Sequence, residues 1–171
     1  MAQSTAMTTT TERSTAKMAT QPPTRPLRAS IDIAARPAEV WRVVSDVRRT
    51  PQWSPECTRV VPIGAVREGS WMLGLNRRGA VRWPTVSRVV RYEPDHEIAW
   101  AVRTNGAIWT YRIEATEDGA RLTESRDTPK GVGRFARWFT RALLGGQGGH
   151  DDELETGMAS GLEHIKASIE R

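Results

Sequence analysis

Tryptophan is the residue type in this sequence with the clearest potential for ligand chemistry. The chain contains seven tryptophans but only two phenylalanines and two tyrosines. Trp100 lies in the alternating segment 98–102, and Trp109 alternates with Tyr111, so each belongs to one face of a predicted strand. An indole combines a large apolar area with one N–H donor, which suits a flat, partly polar ligand. The spacing predicts a binding surface lined by several indoles, with a filled core as the alternative.

The predicted ligand-binding residues share large apolar side chains. They are Trp53, Trp71, Trp83, Trp100, Trp109, Tyr111, Trp138, Met158 and Leu162. Polar side chains on the presumed inner faces of the strands could orient a ligand. The candidates are Arg82, Thr110, Arg112, Glu124 and Arg126. A slip of one residue in strand parity would move each of them to the solvent face, where Glu124 and Arg126 would form a surface pair.

No spacing in the sequence specifies a metal, a cofactor or a catalytic group. The single cysteine, Cys57, excludes a multi-thiolate site, and the three histidines are scattered. His164 is off the centre of the apolar stripe of its predicted helix, so we expect it in solvent rather than as a general base. We therefore predict no metal, no cofactor and no catalytic residue. Enzyme activity stays open for a cavity that works mainly by folding its substrate.

Length and charge narrow the class of protein. With 171 residues, of which 38% are hydrophobic, the chain is long enough for one domain with its own core. The net charge is +5, but the 25 basic residues are interleaved with 20 acids, which argues against nucleic-acid binding. No run approaches the roughly 20 apolar residues of a membrane span. The lone cysteine and the lack of an apolar signal region predict a cytoplasmic protein.

The helices and strands that position the candidate binding residues are predicted to follow an N-terminal tail. Residues 1–26 are rich in serine, threonine and proline, and we predict a disordered tail there and a single domain over 27–171. The domain opens with a strand and then a short amphipathic helix from Pro37. Strand-like runs follow, joined by turn signals such as Asn105-Gly106. The six runs are 57–66, 70–77, 80–92, 96–104, 107–115 and 120–127.

The pattern changes to a helical period near the end of the chain. One apolar stripe consists of Leu154, Met158, Leu162, Ile165 and Ile169. Gly157 and Gly161 flank it and lower its helix propensity, which a close approach to the sheet would offset. The order of elements predicts an α+β fold, in which a curved antiparallel sheet of about seven strands wraps around a long C-terminal helix. Within the sheet Pro84 cannot donate to a ladder, so we expect a bulge or an unpaired edge there.

A shorter amphipathic helix is predicted over 132–144, before the glycine-rich stretch 145–149. Aromatic and apolar residues lie on one side of it and arginines on the other. Two interpretations stay open: a transient contact with a membrane surface, or an ordinary helix that packs on the domain with its arginines outward. The glycines behind it would allow the segment to move as a lid.

Several local motifs, taken in order, resemble those of one superfamily. They occupy residues 30–41 (SIDIAARPAEVW), 51–56 (PQWSPE) and 88–94 (RVVRYEP), followed by the glycine-flanked C-terminal stripe. With them, residues 28–171 resemble the START-like or SRPBCC superfamily, in particular its polyketide cyclase/dehydrase and lipid-transport branch. The resemblance implies a helix-grip fold with an apolar cavity between sheet and helix. It also implies that Trp53 lies at the cavity entrance, with anchoring of the loop as the alternative.

The function that the resemblance implies is broad. We expect binding of a hydrophobic small molecule, such as a lipid or a polyketide, for carriage or sequestration. One alternative is a polyketide cyclase/dehydratase-type enzyme, and another is a protein-interaction role, as in toxin-type members of the superfamily. The sequence does not indicate an oligomeric state. Membership of the superfamily does not indicate which of these functions applies, because function belongs to sites rather than folds.

Overall fold

A computed structural model describes residues 26–129 and 147–171, with side chains from residue 155 onward in the second range. The predicted tail, apart from its last residue, and the predicted helix 132–144 with Trp138 lie outside these residues. The elements are β1 (Leu27–Ile33), α1 (Pro37–Val44), a 3₁₀ helix (Val47–Gln52), β2 (Cys57–Pro62), β3 (Trp71–Arg78), β4 (Val81–Glu93), β5 (Glu97–Val102), β6 (Ile108–Thr116), β7 (Gly119–Asp127) and α2 (Gln147–Ile169). Neither of the α-helices in this part of the chain is both long and apolar enough to cross a membrane.

The strands form one curved antiparallel sheet in the order β1-β7-β6-β5-β4-β3-β2. Strands β2 to β7 follow one another as hairpins, and β1 completes the sheet by pairing with β7. Gly119 shows why a turn residue matters here, because its φ of +151° favours glycine and a Cβ at this position would collide with the Ile33 carbonyl oxygen. The predicted fold, a sheet of seven strands with a long C-terminal helix, is confirmed.

Strand β4 explains how the sheet tolerates a proline. Its ladder with β5 begins at Ser87, and the Arg103 backbone N–H donates to the Val86 carbonyl oxygen just before it. Among the described residues, 81–85 of β4 therefore pair with β3 alone. Pro84 lies in this half, opposite Leu75, and no strand in the described part of the chain pairs with the other side of β4 there. The expected edge is confirmed, whereas the irregularity in the β4–β5 register lies further along, between Val89 and Arg91.

The first helix covers part of the concave face of the sheet. Pro37 occupies the first turn, and the Arg36 backbone N–H donates to the Glu39 carboxylate at 3.0 Å, which caps the helix. Its apolar side packs into the main core, where the Trp41 and Tyr92 rings meet edge to face at 5.1 Å. The helix ends at Val44, and one 3₁₀ segment leads to the proline-bounded turn around Trp53.

The long helix α2 crosses the same concave face. Leu162 and Ile165 are buried in the core, as their stripe predicts. The helix already begins at Gln147, so the predicted break at 145–149 extends too far along the chain. The expected approach of the glycines to the sheet was also wrong. A Cβ at Gly161 would lie 2.9 Å from the Trp53 carbonyl oxygen, so the close contact is with the turn after α1.

Candidate functional site

The register of β5, β6 and β7 aligns aromatic and polar side chains in two rows on the concave face. In the first row Ile98 lies opposite Tyr111, which lies opposite Glu124. In the second row Trp100 lies opposite Trp109, which lies opposite Arg126. Directly opposed residues in an antiparallel pair have neighbouring side chains on one face, so the two rows form a continuous surface.

The first row contains a buried chain of hydrogen bonds. The indole N–H of Trp53 donates to the Tyr111 hydroxyl oxygen at 3.1 Å. The Tyr111 hydroxyl in turn donates to Oε1 of Glu124, also at 3.1 Å. All three side chains are buried, with exposed fractions of 5%, 2% and 8%. In the described part of the chain, Tyr111 is the hydrogen-bond donor to this carboxyl group, and Oε2 is available for a second partner.

Burial controls the protonation of this chain. Loss of solvent raises the pKa of Glu124 from 4.5 to about 7, and the hydrogen bond from Tyr111 only partly opposes that shift. Burial and the neighbouring Glu124 raise the pKa of Tyr111 well above its ordinary value, so the phenol stays protonated and remains a donor. Near neutral pH the carboxyl group therefore exchanges between an acid that can donate a hydrogen bond and a carboxylate that can only accept one.

The second row is more open than the first. Trp100 and Trp109 are only half-buried, although they adjoin fully buried side chains. The Trp100 ring packs against Tyr111 with centroids 5.8 Å apart and an interplanar angle of 52°. The Arg126 guanidinium lies 6.0 Å from the centroid of the Trp109 ring, within the range of a cation–π contact. A ligand on this surface would meet two indole faces, one cation and the carboxyl group of Glu124.

Helix α2 and the turn after α1 complete this surface. Met158 is buried beside Leu27, with Trp109 packed against the pair. Leu162 joins the main core together with Trp53. Because Gly161 lets the helix backbone approach the Trp53 carbonyl, the helix fixes the turn from which the Trp53 indole reaches Tyr111.

The structure does not bring all of the predicted site residues together. Trp53, Trp100, Trp109, Tyr111, Met158 and Leu162 meet on the concave side. Trp83 is half-buried on the same face, but opposite Asn76 on the β3–β4 hairpin. The predicted placement of Trp71 in the binding site was wrong. Trp71 is 39% exposed on the outer face, and its neighbour Met72 is the residue that points inward.

The polar candidates separate in the same way. Arg82 is exposed on the outer face of β4. Thr110 and Arg112 lie on the face of β6 opposite Tyr111, and Arg112 donates two hydrogen bonds to the buried carboxylate of Glu97. Glu124, one of the candidates for the inner face, is buried there, so the alternative of a surface pair with Arg126 was wrong for it. The local signal for this placement is its alternation with Leu122 in β7, two residues earlier and buried on the same face.

The side chains that the structure describes, in residues 26–129 and 155–171, include no group of three His, Cys, Asp or Glu that could hold a metal ion. The carboxyl group of Glu124 instead lies among aromatic rings and apolar side chains, which is the composition of sites for hydrophobic organic ligands.

Comparison with known proteins gives matches that cover the described fold. The family model for polyketide cyclase / dehydrase and lipid transport matches residues 25–170. A polyketide cyclase-like protein from Corynebacterium glutamicum is 27% identical, with a TM-score of 0.54 over 85% of this chain and 89% of that protein. No curated protein matches the sequence.

Two further solved structures share the fold at lower identity. The di-domain ARO/CYC protein of the steffimycin biosynthetic pathway gives a TM-score of 0.66 at 14% identity, over 85% of this chain and 50% of that one. A protein from Chromobacterium violaceum gives 0.60 at 16% identity, over 85% of this chain and 98% of that one. Similarity at this level of identity concerns the fold alone.

Proposed function

Since this chain belongs to the polyketide cyclase/dehydrase and lipid transport family, we propose that it binds a hydrophobic small molecule on the concave face of its sheet. Its role is carriage or sequestration of that molecule. The observation that carries the proposal is the buried hydrogen-bonded chain of Trp53, Tyr111 and Glu124 beside the half-buried Trp100 and Trp109. A few fixed polar groups within an apolar and aromatic lining are the usual composition of a small-molecule site.

The chemistry of the site indicates which ligand it would accept. Two indole faces favour a flat, aromatic or polyunsaturated molecule. Oε2 of Glu124 would donate a hydrogen bond to a ligand carbonyl when the group is protonated, and accept one from a ligand hydroxyl when it is ionised. A polyketide carries both groups on an apolar skeleton, and a lipid carries them at one end.

An affinity series on the full chain tests this proposal. The probe is a hydroxylated anthraquinone, a flat apolar molecule with carbonyl and hydroxyl groups, measured by equilibrium dialysis. We expect Glu124→Ala and Trp100→Ala each to weaken binding about tenfold or more, since each removes a direct contact. Trp71→Ala is the matched control, because it removes an indole from the outer face and should leave the affinity unchanged. Equal weakening by Trp71→Ala, or no binding by the wild-type chain, would contradict the proposal.

A second candidate function is a cyclase or dehydratase activity on the same ligand. The observation that favours it is the position of the Glu124 pKa, about 7, which suits a group that both gives and takes a proton near neutral pH. In such a reaction Glu124 would protonate a carbonyl oxygen or remove a proton next to it, and Tyr111 would hold the carboxyl group in place. Turnover of a poly-β-keto substrate that Glu124→Gln abolishes without loss of binding would assign this activity. Binding without turnover would assign carriage.

The protein-interaction role is the third alternative and makes a different prediction. If the concave face serves only as a core, organic extraction of the purified protein should release no lipid or aromatic compound. Carriage or sequestration predicts that mass spectrometry of the extract detects such a compound, and that its amount falls in the Glu124→Ala variant.

A further inference from the structure

A second apolar surface lies on the outer face of β2, β3 and β4, away from the concave site. We name it the outer apolar patch. Its six members are Val61, Ile63, Trp71, Leu73, Leu75 and Val86, each between 39% and 70% exposed. The uncovered face of an antiparallel sheet is ordinarily polar, so a cluster of exposed branched and aromatic side chains at this place needs an explanation.

The strand register joins these residues into one surface. Leu73 lies opposite Val61 on one side and opposite Val86 on the other, which places three apolar side chains in a row across three strands. Ile63 follows β2, and its backbone N–H donates to the Trp71 carbonyl at 2.8 Å, so it extends the patch past the end of the strand. With 70% of its surface exposed, Ile63 is the most accessible of the six.

Arginines frame the outer apolar patch. Arg59 lies opposite Leu75, and Arg88 lies opposite Trp71 with its guanidinium 5.7 Å from the ring centroid. Arg77 and Arg82 lie opposite each other and are both exposed. Strands β2 and β3 and residues 81–92 of β4 contain no aspartate or glutamate. Within the described part of the chain none of these four arginines has an ion-pair partner, so their charges are available to a partner outside the molecule.

We propose that the outer apolar patch and its four arginines dock the protein on an anionic lipid surface. Apolar side chains enter the boundary between headgroups and acyl chains, and basic side chains are attracted to anionic headgroups. The indole of Trp71 lies under the guanidinium of Arg88. Such a pair suits the headgroup level of a membrane, because the indole can contact apolar groups while the guanidinium stays hydrated.

Charge argues against two other occupants of this surface. A second copy of the chain would oppose four arginines with the same four arginines, and β2, β3 and residues 81–92 of β4 contain no carboxylate that would separate them. The N-terminal segment 1–25 carries Arg13, Lys17 and Arg25 against Glu12, so it has the same sign of charge as the patch. An anionic lipid surface has the opposite sign of charge to the four arginines. It also requires no directed hydrogen bonds, and the apolar side chains of the patch offer none.

Vesicle flotation of the full chain tests the docking. The probes are vesicles of phosphatidylcholine alone and of phosphatidylcholine with phosphatidylglycerol. We expect binding to the anionic vesicles only, and a decrease with added salt. Arg88→Glu should lower the affinity about tenfold or more, because it removes one attraction and adds one repulsion. Leu73→Ser should also weaken binding, because it removes the centre of the patch.

Arg28→Glu is the matched control, since Arg28 is exposed on β1 at the opposite edge of the sheet. It should leave vesicle binding close to that of the wild type. Loss of binding by Arg28→Glu equal to that of Arg88→Glu would overturn the proposal, since only net charge would then matter. Absence of vesicle binding would also overturn it. Binding that survives Arg88→Glu but is lost in Arg137→Glu would move the docking to 132–144 and overturn it as well.

The membrane-docking proposal and the ligand-binding proposal can be contradicted independently of each other. Anthraquinone affinity depends on the concave face, so Arg88→Glu and Leu73→Ser should retain it, which also shows that these variants are folded. Conversely, Glu124→Ala should retain vesicle binding.

Discussion

The hydroxyl group of Tyr111 donates a hydrogen bond to Oε1 of Glu124 at 3.1 Å, between directly opposed residues of two neighbouring strands. Both side chains are buried on the concave face, where an ionised carboxylate costs much more free energy than a protonated, hydrogen-bonded one. The pair therefore links the protonation of one group to both the stability of the fold and the recognition of a ligand.

The first prediction concerns the pH dependence of stability. The pKa of Glu124 is about 7 in the folded chain and 4.5 as an ordinary glutamate. Below pH 4.5 both states hold the proton. As the pH rises from there, the unfolded state releases its proton first and is stabilised, until the folded state also releases it near pH 7. We expect urea unfolding to give a free energy about 3 kcal/mol lower at pH 8 than at pH 4.5 from this group alone.

Glu124→Gln is the control for that titration. The amide has the shape of the protonated acid and does not ionise in this range. The difference in unfolding free energy between the variant and the wild type should therefore grow in favour of the variant between pH 4.5 and pH 7, and then become constant. A difference that does not change with pH would show that Glu124 titrates normally.

The second prediction concerns Tyr111→Phe. This change removes the donor to Glu124 and the acceptor of the Trp53 indole N–H, and it leaves two buried polar groups without that partner. We expect a loss of about 1–3 kcal/mol in the free energy of unfolding at pH 6, measured in urea. The pKa of Glu124 should rise further, because the hydrogen bond from Tyr111 lowers it. Tyr92→Phe, at the other tyrosine of the chain, should leave that pKa in place; an equal shift in both variants would contradict the assignment.

The third prediction concerns the contact between α2 and the turn at Trp53. Alanine favours a helix over glycine by about 1 kcal/mol, so Gly161→Ala would stabilise an unconstrained helix. Here the new Cβ would lie 2.9 Å from the Trp53 carbonyl oxygen, and the backbone would have to move. We expect thermal unfolding to show a net loss of about 1–3 kcal/mol. The exposed Ser160→Ala is the control and should be neutral or slightly stabilising; stabilisation by Gly161→Ala would disprove the close packing.

The fourth prediction concerns Glu97, which is 3% exposed on β5 and pairs with both Arg91 and Arg112. Arg112→Ala would remove two charge-assisted hydrogen bonds, at 2.6 and 2.8 Å, from this buried carboxylate. Because Arg91 stays, we expect a loss of about 1.5–3 kcal/mol in unfolding free energy. Arg82→Ala, an exposed arginine on β4, should change stability by less than about 0.5 kcal/mol. Similar losses in both variants would show that Glu97 is not held by Arg112.

The sequence was sufficient for the fold because the local signals agreed with one another. Asn105-Gly106 marked a hairpin, Pro37 marked the start of α1, and the stripe through Leu162 marked α2. Strand parity was harder, and β3 shows why. Its apolar residues Trp71, Leu73 and Leu75 lie on the exposed face. The inward face carries Met72, Gly74 and the half-buried Asn76. Hydrophobicity alone therefore predicts the wrong face of β3 as the buried one.

The centre of the candidate site depends on contacts that no local pattern encodes. Trp53 and Tyr111 are 58 residues apart, and their hydrogen bond needs the turn after α1 to be fixed against α2. The sequence left Glu124 either on the inner face or in a surface pair with Arg126, because strand parity was uncertain by one residue. Only the register with β6 puts its carboxyl group under the Tyr111 hydroxyl.

The most direct test of ligand binding on the concave face is an NMR titration of the indole N–H signals with the hydroxylated anthraquinone. Trp53, Trp100 and Trp109 report on the concave face, and Trp71 on the outer face is an internal control. We predict that the signals of Trp53, Trp100 and Trp109 shift with one common affinity while that of Trp71 stays in place. A shift confined to Trp71, or no shift in the three concave-face signals at saturating probe, would contradict the proposed function.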